Sequence, residues 1–188
     1  MTPEIIGAFF SPFSFASCTN DSRAVSLRIV PSAVNAIAMT SSPQIPLELD
    51  AQLCFALYST SLAMTKTYKP LLDKVGLTYP QYLAMLVLWE SDALTVKQMA
   101  ERLNLDSATM TPLLKRLEAQ GFVQRMRSKE DERQVHINLT DAGRALKKAI
   151  RGIPAEIFCA AGSDAERLLK LRDELIQLRA SLMEHNET

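Results

Sequence analysis

Between residues 94 and 139 the apolar positions first recur at steps of three and four, then switch to steps of two. Val96, Met99, Ala100 and Leu103 line one face of a first short helix, the spacing of an amphipathic segment. Met110, Leu113, Leu114 and Leu117 continue that stripe on a second. Thr95 with Gln98 predicts a capping box where the first helix starts, and Asp106 an N-cap for the second. Gly121 is placed to end the second helix in the left-handed conformation. Residues 122–127 then form a short extended run, and Val135, Ile137 and Leu139 alternate with polar neighbours, as in a half-buried strand. Residues 128–133, SKEDER, separate the two runs without an apolar side chain. Two short helices followed by a charge-tipped hairpin predict a winged helix-turn-helix, whose second helix enters the DNA major groove. A small helical domain with a solvated hairpin and no nucleic acid has the same periodicity, so the pattern alone leaves both open. Pro112 conflicts with the second helix: either the helix bends there or it begins closer to Thr111.

The flanks read as helices. A long one is expected over residues 49–74, carrying Leu53, Cys54, Leu57, Tyr58, Leu62 and Met64, and bent at Pro70. A turn at Gly76 leads to a second, starting near Thr78 with Pro80 at a permitted early position and strongly apolar from Tyr82 to Trp89. After the hairpin, Thr140 caps a further helix that Pro154 should kink or divide, placing Cys159 in the later half. Gly162 stops it, and Ser163 with Glu166 predicts a capping box for the last helix. Leu168, Leu171, Leu175, Leu178 and Leu182 form an a/d seam there. The seam fits either a two-fold dimer interface or packing within one subunit. The fold class expected is mainly α: a winged helix-turn-helix at 95–139, with long helices at 47–75 and 140–188 forming a dimerisation region.

Composition narrows this only slightly. Lys plus Arg and Asp plus Glu each total 21 in 188 residues, so bulk charge does not coat nucleic acid, although a site-specific binder remains possible. Three widely spaced cysteines, with no CxxC pair, suggest neither a zinc site nor a secreted disulfide framework. No metal and no cofactor is expected, no stretch reaches membrane-helix length, and the chain is expected to be cytoplasmic with reduced thiols. Residues 1–46 differ in character: Phe9, Phe10, Phe13 and Phe15 sit among Ser and Pro, and no Lys or Arg precedes them as in a signal peptide. They are expected to be a disordered or non-native leader, with Met39 as the natural start and Cys18 irrelevant.

The segments QLCFALYSTSLAMTKTYKPLLDKVGLTYPQYL and LTVKQMAERLNLDSATMTPLLKRLEAQGFVQRMRSKEDERQVHINLTDAG, with the helices after them, resemble the MarR family of winged-helix regulators. Within it they look like the organic-hydroperoxide sensors of the two-cysteine type. The likeness runs from about Leu47 to the C-terminus. It implies a homodimeric repressor released from its operator when a cysteine is oxidised. On this resemblance Cys54 is the sensing residue, hydrogen-bonded by Tyr68 and Tyr79 with Tyr58 a lesser neighbour, and Cys159 resolves it by pairing with Cys54 of the other subunit. From the residues alone, a cysteine on an apolar helix is more often an inert core residue, since reactivity needs donors that stabilise a thiolate. Each tyrosine is equally well a packed side chain with a satisfied hydroxyl, and Cys159 a small apolar filler.

The polar positions of the winged segment carry expected DNA roles. Ser107, Thr109, Thr111 and Lys115 suit groove or phosphate contact, and Arg125 and Arg127 phosphate neutralisation. Arg133 at the hairpin tip suits the minor groove, oriented by Asp131. Two recognition helices about 34 Å apart require a double-stranded operator with an inverted repeat. The effector expected is an organic hydroperoxide, favoured by apolar residues near the thiol such as Phe55, Leu57 and Met64. Two other readings stand beside this one: a repressor released by a small phenolic ligand, with Cys54 structural, and a thiol peroxidase. The chain shows no evident Arg or Thr beside Cys54 to activate a peroxide, and the overall expectation is a regulator, not an enzyme.

Overall fold

The computed structural model describes residues 46–127 and 134–187. The leader, Met39 and Cys18, and the hairpin tip with Asp131 and Arg133, lie outside the described residues. A 3-10 turn at Leu49–Ala51 precedes α1 (Leu53–Asp73), and α2 (Tyr79–Glu90) follows across the Gly76 turn. Next come β1 (Leu94–Thr95), α3 (Val96–Leu103), α4 (Ser107–Ala119), β2 (Val123–Arg127) and β3 (Val135–Leu139). Three helices end the chain: α5 (Asp141–Ala149), α6 (Ile153–Ala160) and α7 (Ala165–Glu187).

α2 is the centre of the core. Tyr82, Ala84, Met85, Val87 and Leu88 are all buried, so this helix is apolar around most of its girth, as a helix enclosed by others must be. Met99 and Ala100 of α3, and Met110, Leu113, Leu114 and Leu117 of α4, pack into the same core. Fully burying each large side chain contributes about 1.5–3 kcal/mol. The expected caps form. The Thr95 hydroxyl accepts from the Gln98 amide, and the Gln98 side chain accepts from the Thr95 N–H at 2.9 Å. Asp106 accepts from the Thr109 amide. Gly121, at φ +78°, closes α4 with Phe122 N–H bonded to Leu117 C=O at 3.1 Å, the left-handed ending that glycine permits.

Four local expectations are corrected. α1 starts at Leu53 because the residues before it close as a separate tight turn. α4 starts at Ser107 and contains Pro112; the Asp106 cap holds the first turn, leaving one missing amide bond to tolerate. The cap of α7 is Asp164, whose carboxylate accepts from the Arg167 N–H at 3.0 Å. Ser163 cannot serve because it is in the left-handed region at φ 59°. The sheet has three strands in the order β1-β3-β2, since the two residues of β1 pair with Ile137 and His136. Pro154 divides the helix after the hairpin into α5 and α6, with Cys159 in the later half.

Candidate functional site

The polar face of α4 opposes its four buried residues. Ser107, Thr109 and Lys115 are exposed. Thr111 is half-buried and its hydroxyl donates to the Ser107 carbonyl at 2.8 Å, so this side chain is turned back onto its own helix. At the helix start, amide donors from Thr109 and Ala108 hold the Asp106 carboxyl below the usual carboxylate range.

The hairpin register decides the aspect of its arginines. Arg125 pairs with Ile137 and Arg127 with Val135, and directly opposed residues share a face. Arg125 therefore lies on the inward side, half-buried, with its Nε buried and unpartnered. Arg127 is exposed at the strand end. The root of the hairpin is locked from below. The Asp92 carboxylate accepts from the Leu139 N–H at 2.8 Å and pairs with the Arg144 guanidinium, which also donates to the Leu139 carbonyl at 2.9 Å. Burial opposes the charge on Asp92, but the Leu139 amide, Arg144 and the Ala93 amide outweigh it and hold the carboxyl below its ordinary range. Trp89 Nε1 donates to the Gly143 carbonyl at 2.9 Å on the same side. None of Trp89, Asp92, Gly143 and Arg144 stood out as a functional residue in the sequence. An acidic residue between a buried helix and a strand is the one signal that could have pointed to Asp92.

The second constellation is split. Cys54 is exposed in the first turn of α1 and is a free thiol, and Tyr58, one turn on, is 61% exposed. Phe55, Leu57 and Met64 are half-buried. Tyr68 lies far along the same helix, where it meets Tyr79 and Tyr82 of α2 with ring centroids 4.8 and 5.6 Å away. Burial, then the neighbouring Tyr82 and Tyr79, push the Tyr68 phenol up to about 12, and burial raises Tyr79 and Tyr82 too. All three stay protonated at neutral pH and keep a hydrogen to donate. Fourteen helical steps lead from Cys54 to Tyr68, about 21 Å of rise, so one protomer does not bring this tyrosine to the thiol. Cys159 is half-buried in α6. Cys54 is free, so one protomer does not pair the two thiols.

α7 turns three of the five seam leucines outward, while Leu168 and Leu178 are half-buried. Leu171, Leu175 and Leu182 are 45%, 38% and 55% exposed, and Ile176 and Met183 lie beside them. Among the described residues no helix is long and apolar enough to cross a membrane.

A helix-turn-helix backed by a three-stranded wing and flanked by long helices defines the class of winged-helix transcriptional regulators. Residues 66–150 match the family described as transcriptional regulator SarA/Rot. The organic hydroperoxide resistance transcriptional regulator of Bacillus subtilis (strain 168) is 51% identical over 140 residues, which span 74% of this chain and 95% of that protein. The structure of reduced AbfR bound to DNA has a TM-score of 0.65 at 36% identity, covering 72% of this chain and 94% of that one. Disulfide-formed AbfR has a TM-score of 0.53 at 36% identity, covering 74% and 93%; AbfR comes from Staphylococcus epidermidis. The chain belongs to the MarR/SarA family of transcriptional regulators, and is a regulator rather than an enzyme.

Proposed function

We propose that this chain is a homodimeric, DNA-binding repressor of the OhrR type, which releases an inverted-repeat operator when an organic hydroperoxide oxidises Cys54. The observation that carries the reading is the split site. A free, exposed thiol sits at one end of α1, and a cluster of protonated phenols at the other. Two antiparallel copies of α1 would bring Cys54 of each to Tyr68 and Tyr79 of its partner. The bare face of α7 supplies apolar surface for that pairing. The relatives support it: one is named for organic hydroperoxide resistance, and another has been seen reduced on DNA and also disulfide-formed.

The chemistry follows from the residues. Cys54 is in the first turn of α1, where the backbone dipole favours negative charge. Its thiolate attacks one peroxide oxygen, the O–O bond breaks, and the sulfur becomes a sulfenic acid while the other oxygen leaves as an alkoxide. The alkoxide takes a proton and departs as the alcohol. Cys159, as a thiol, is the second partner: it condenses with the sulfenic acid to a disulfide and releases water. Because a disulfide holds its Cα atoms within about 7 Å, closing one between subunits moves α1 and α6 and takes the two wings out of register.

On DNA, Ser107, Thr109 and Lys115 of α4 meet the groove and phosphates, Thr111 contributes its methyl face, and Arg127 a phosphate contact. Arg125 holds the hairpin's inner side as well as adding positive charge. Arg133, positioned by Asp131, enters the minor groove. The deciding experiment is a gel-shift of reduced and hydroperoxide-treated protein, wild type and Cys54→Ser. Loss of the complex only in oxidised wild type supports the reading. Equal release of the serine variant overturns it and favours a ligand-released repressor.

A further inference from the structure

Among the described residues Gln81 is the one buried polar side chain, 4% exposed, and it lies between Tyr79 and Tyr82 in the first turn of α2. A buried amide must be fully bonded, and the partners of this one cross the molecule. Its Oε1 accepts from the Thr78 N–H at 2.8 Å, and its Nε2 donates to Gln120 Oε1 at 3.0 Å. The Nε2 of Gln120 donates in turn to the Gly76 carbonyl at 2.7 Å. Gln120 is the C-cap residue of α4, directly before the Gly121 turn into β2. Gly76, at φ +70°, forms the turn between α1 and α2. Two amides thus tie the turn that joins the phenol-bearing helices to the joint between recognition helix and wing.

Around these bonds α2 and α4 share an apolar core, to which Met85 and Leu88 of α2 and Leu114 and Leu117 of α4 belong. Apolar surfaces slide with little directional penalty, whereas a pair of hydrogen bonds weakens steeply off-axis. We infer that Gln120, gripped by Gln81 and gripping Gly76, is the positioning residue that passes movement of the Tyr68–Tyr79 cluster to α4 and the wing. This rests on the redox reading above. When oxidation displaces the phenols, the α1–α2 turn carries Gln120 with it, and the end of the recognition helix follows.

The test compares full-length wild type, Gln120→Ala and Gln81→Glu. The second variant keeps an acceptor for Thr78 and loses the donor to Gln120. Operator Kd is measured for reduced and cumene-hydroperoxide-oxidised protein, on a duplex selected from a random pool by the reduced wild type. Both variants should bind as wild type when reduced and oxidise Cys54 at the wild-type rate. Their ratio of oxidised to reduced Kd should fall by about fivefold or more. A ratio that persists in both variants, with or without weaker binding overall, overturns the inference while leaving the redox reading intact. A wild type whose Kd ignores oxidation overturns both.

Discussion

Cys54 and Tyr68 share one unbroken helix yet stand about 21 Å apart along its axis. On the proposed reading, a hydrogen bond between them would be a contact between two copies of the chain. This makes a complementation test available. Cys54→Ser and Tyr68→Phe chains should each show little rapid thiol oxidation alone. A mixed dimer restores one complete site, because the remaining Cys54 faces the intact Tyr68 of its partner. Stopped-flow oxidation of an equal mixture should recover a fast phase of about one quarter of the wild-type amplitude, because about half of the dimers are mixed and each carries one complete site in two. A mixture as slow as Tyr68→Phe alone would place the phenol in the same protomer.

The uncovered face of α7 sets a second expectation. Leu175 is more than one-third exposed at the middle of the seam, and a glutamate there would have to be buried unpaired in a dimer. Leu175→Glu should shift the protein from dimer to monomer in light scattering behind size exclusion. An unchanged dimer mass would remove this part of α7 from the interface.

Asp92 gives the hairpin root a pH dependence whose sign is determined. Its carboxyl is held below the ordinary range in the folded state, so protonation favours unfolding. The stabilisation is complete above the unfolded value, about 3.9, and is lost as pH falls through the lower folded value. At pH 7, Asp92→Asn should cost about 0.5–1.5 kcal/mol. In denaturant titrations that difference should shrink below about pH 4. A gap that stays constant down to pH 2.5 would show that the charge contributes nothing.

Gly143 tests the packing of α5 beneath the wing. A methyl group there would lie 2.1 Å from the Phe122 carbonyl oxygen and 3.2 Å from a Leu139 methyl. That carbonyl accepts from the Thr140 amide and hydroxyl, both at 3.1 Å, so it cannot swing aside. Gly143→Ala should destabilise the protein by about 1–3 kcal/mol, read as a lower Tm by calorimetry, and weaken operator binding through the displaced hairpin. A wild-type Tm would show that the close approach relaxes freely.

How much was legible in the chain depended on whether the determining interaction was local. Thr95, Asp106, Gly121 and Thr140 act within a few residues, so the caps and the helix-turn-helix could be read directly from their order. The apolar spacing of Met110 to Leu117 likewise specified which face of α4 turns inward. Other features required partners far away in sequence. β1 is too short to show a period and exists only through its pairing with Ile137 and His136. Asp92 with Arg144, and Gln81 with Gln120, meet because α2 packs against α5 and α4. Arg125 read as a surface cation until the register put it opposite Ile137.

By itself, then, the sequence determined the helices, their caps and the inward faces, because hydrogen bonds within a turn and the burial of periodic apolar residues are settled locally. Only the tertiary structure decided that Tyr79 and Tyr82 of α2 gather around Tyr68 of α1. Only there do two amides join the α1–α2 turn to the recognition helix. Distances of that kind come from how rigid helices are packed, and no short stretch of chain contains them.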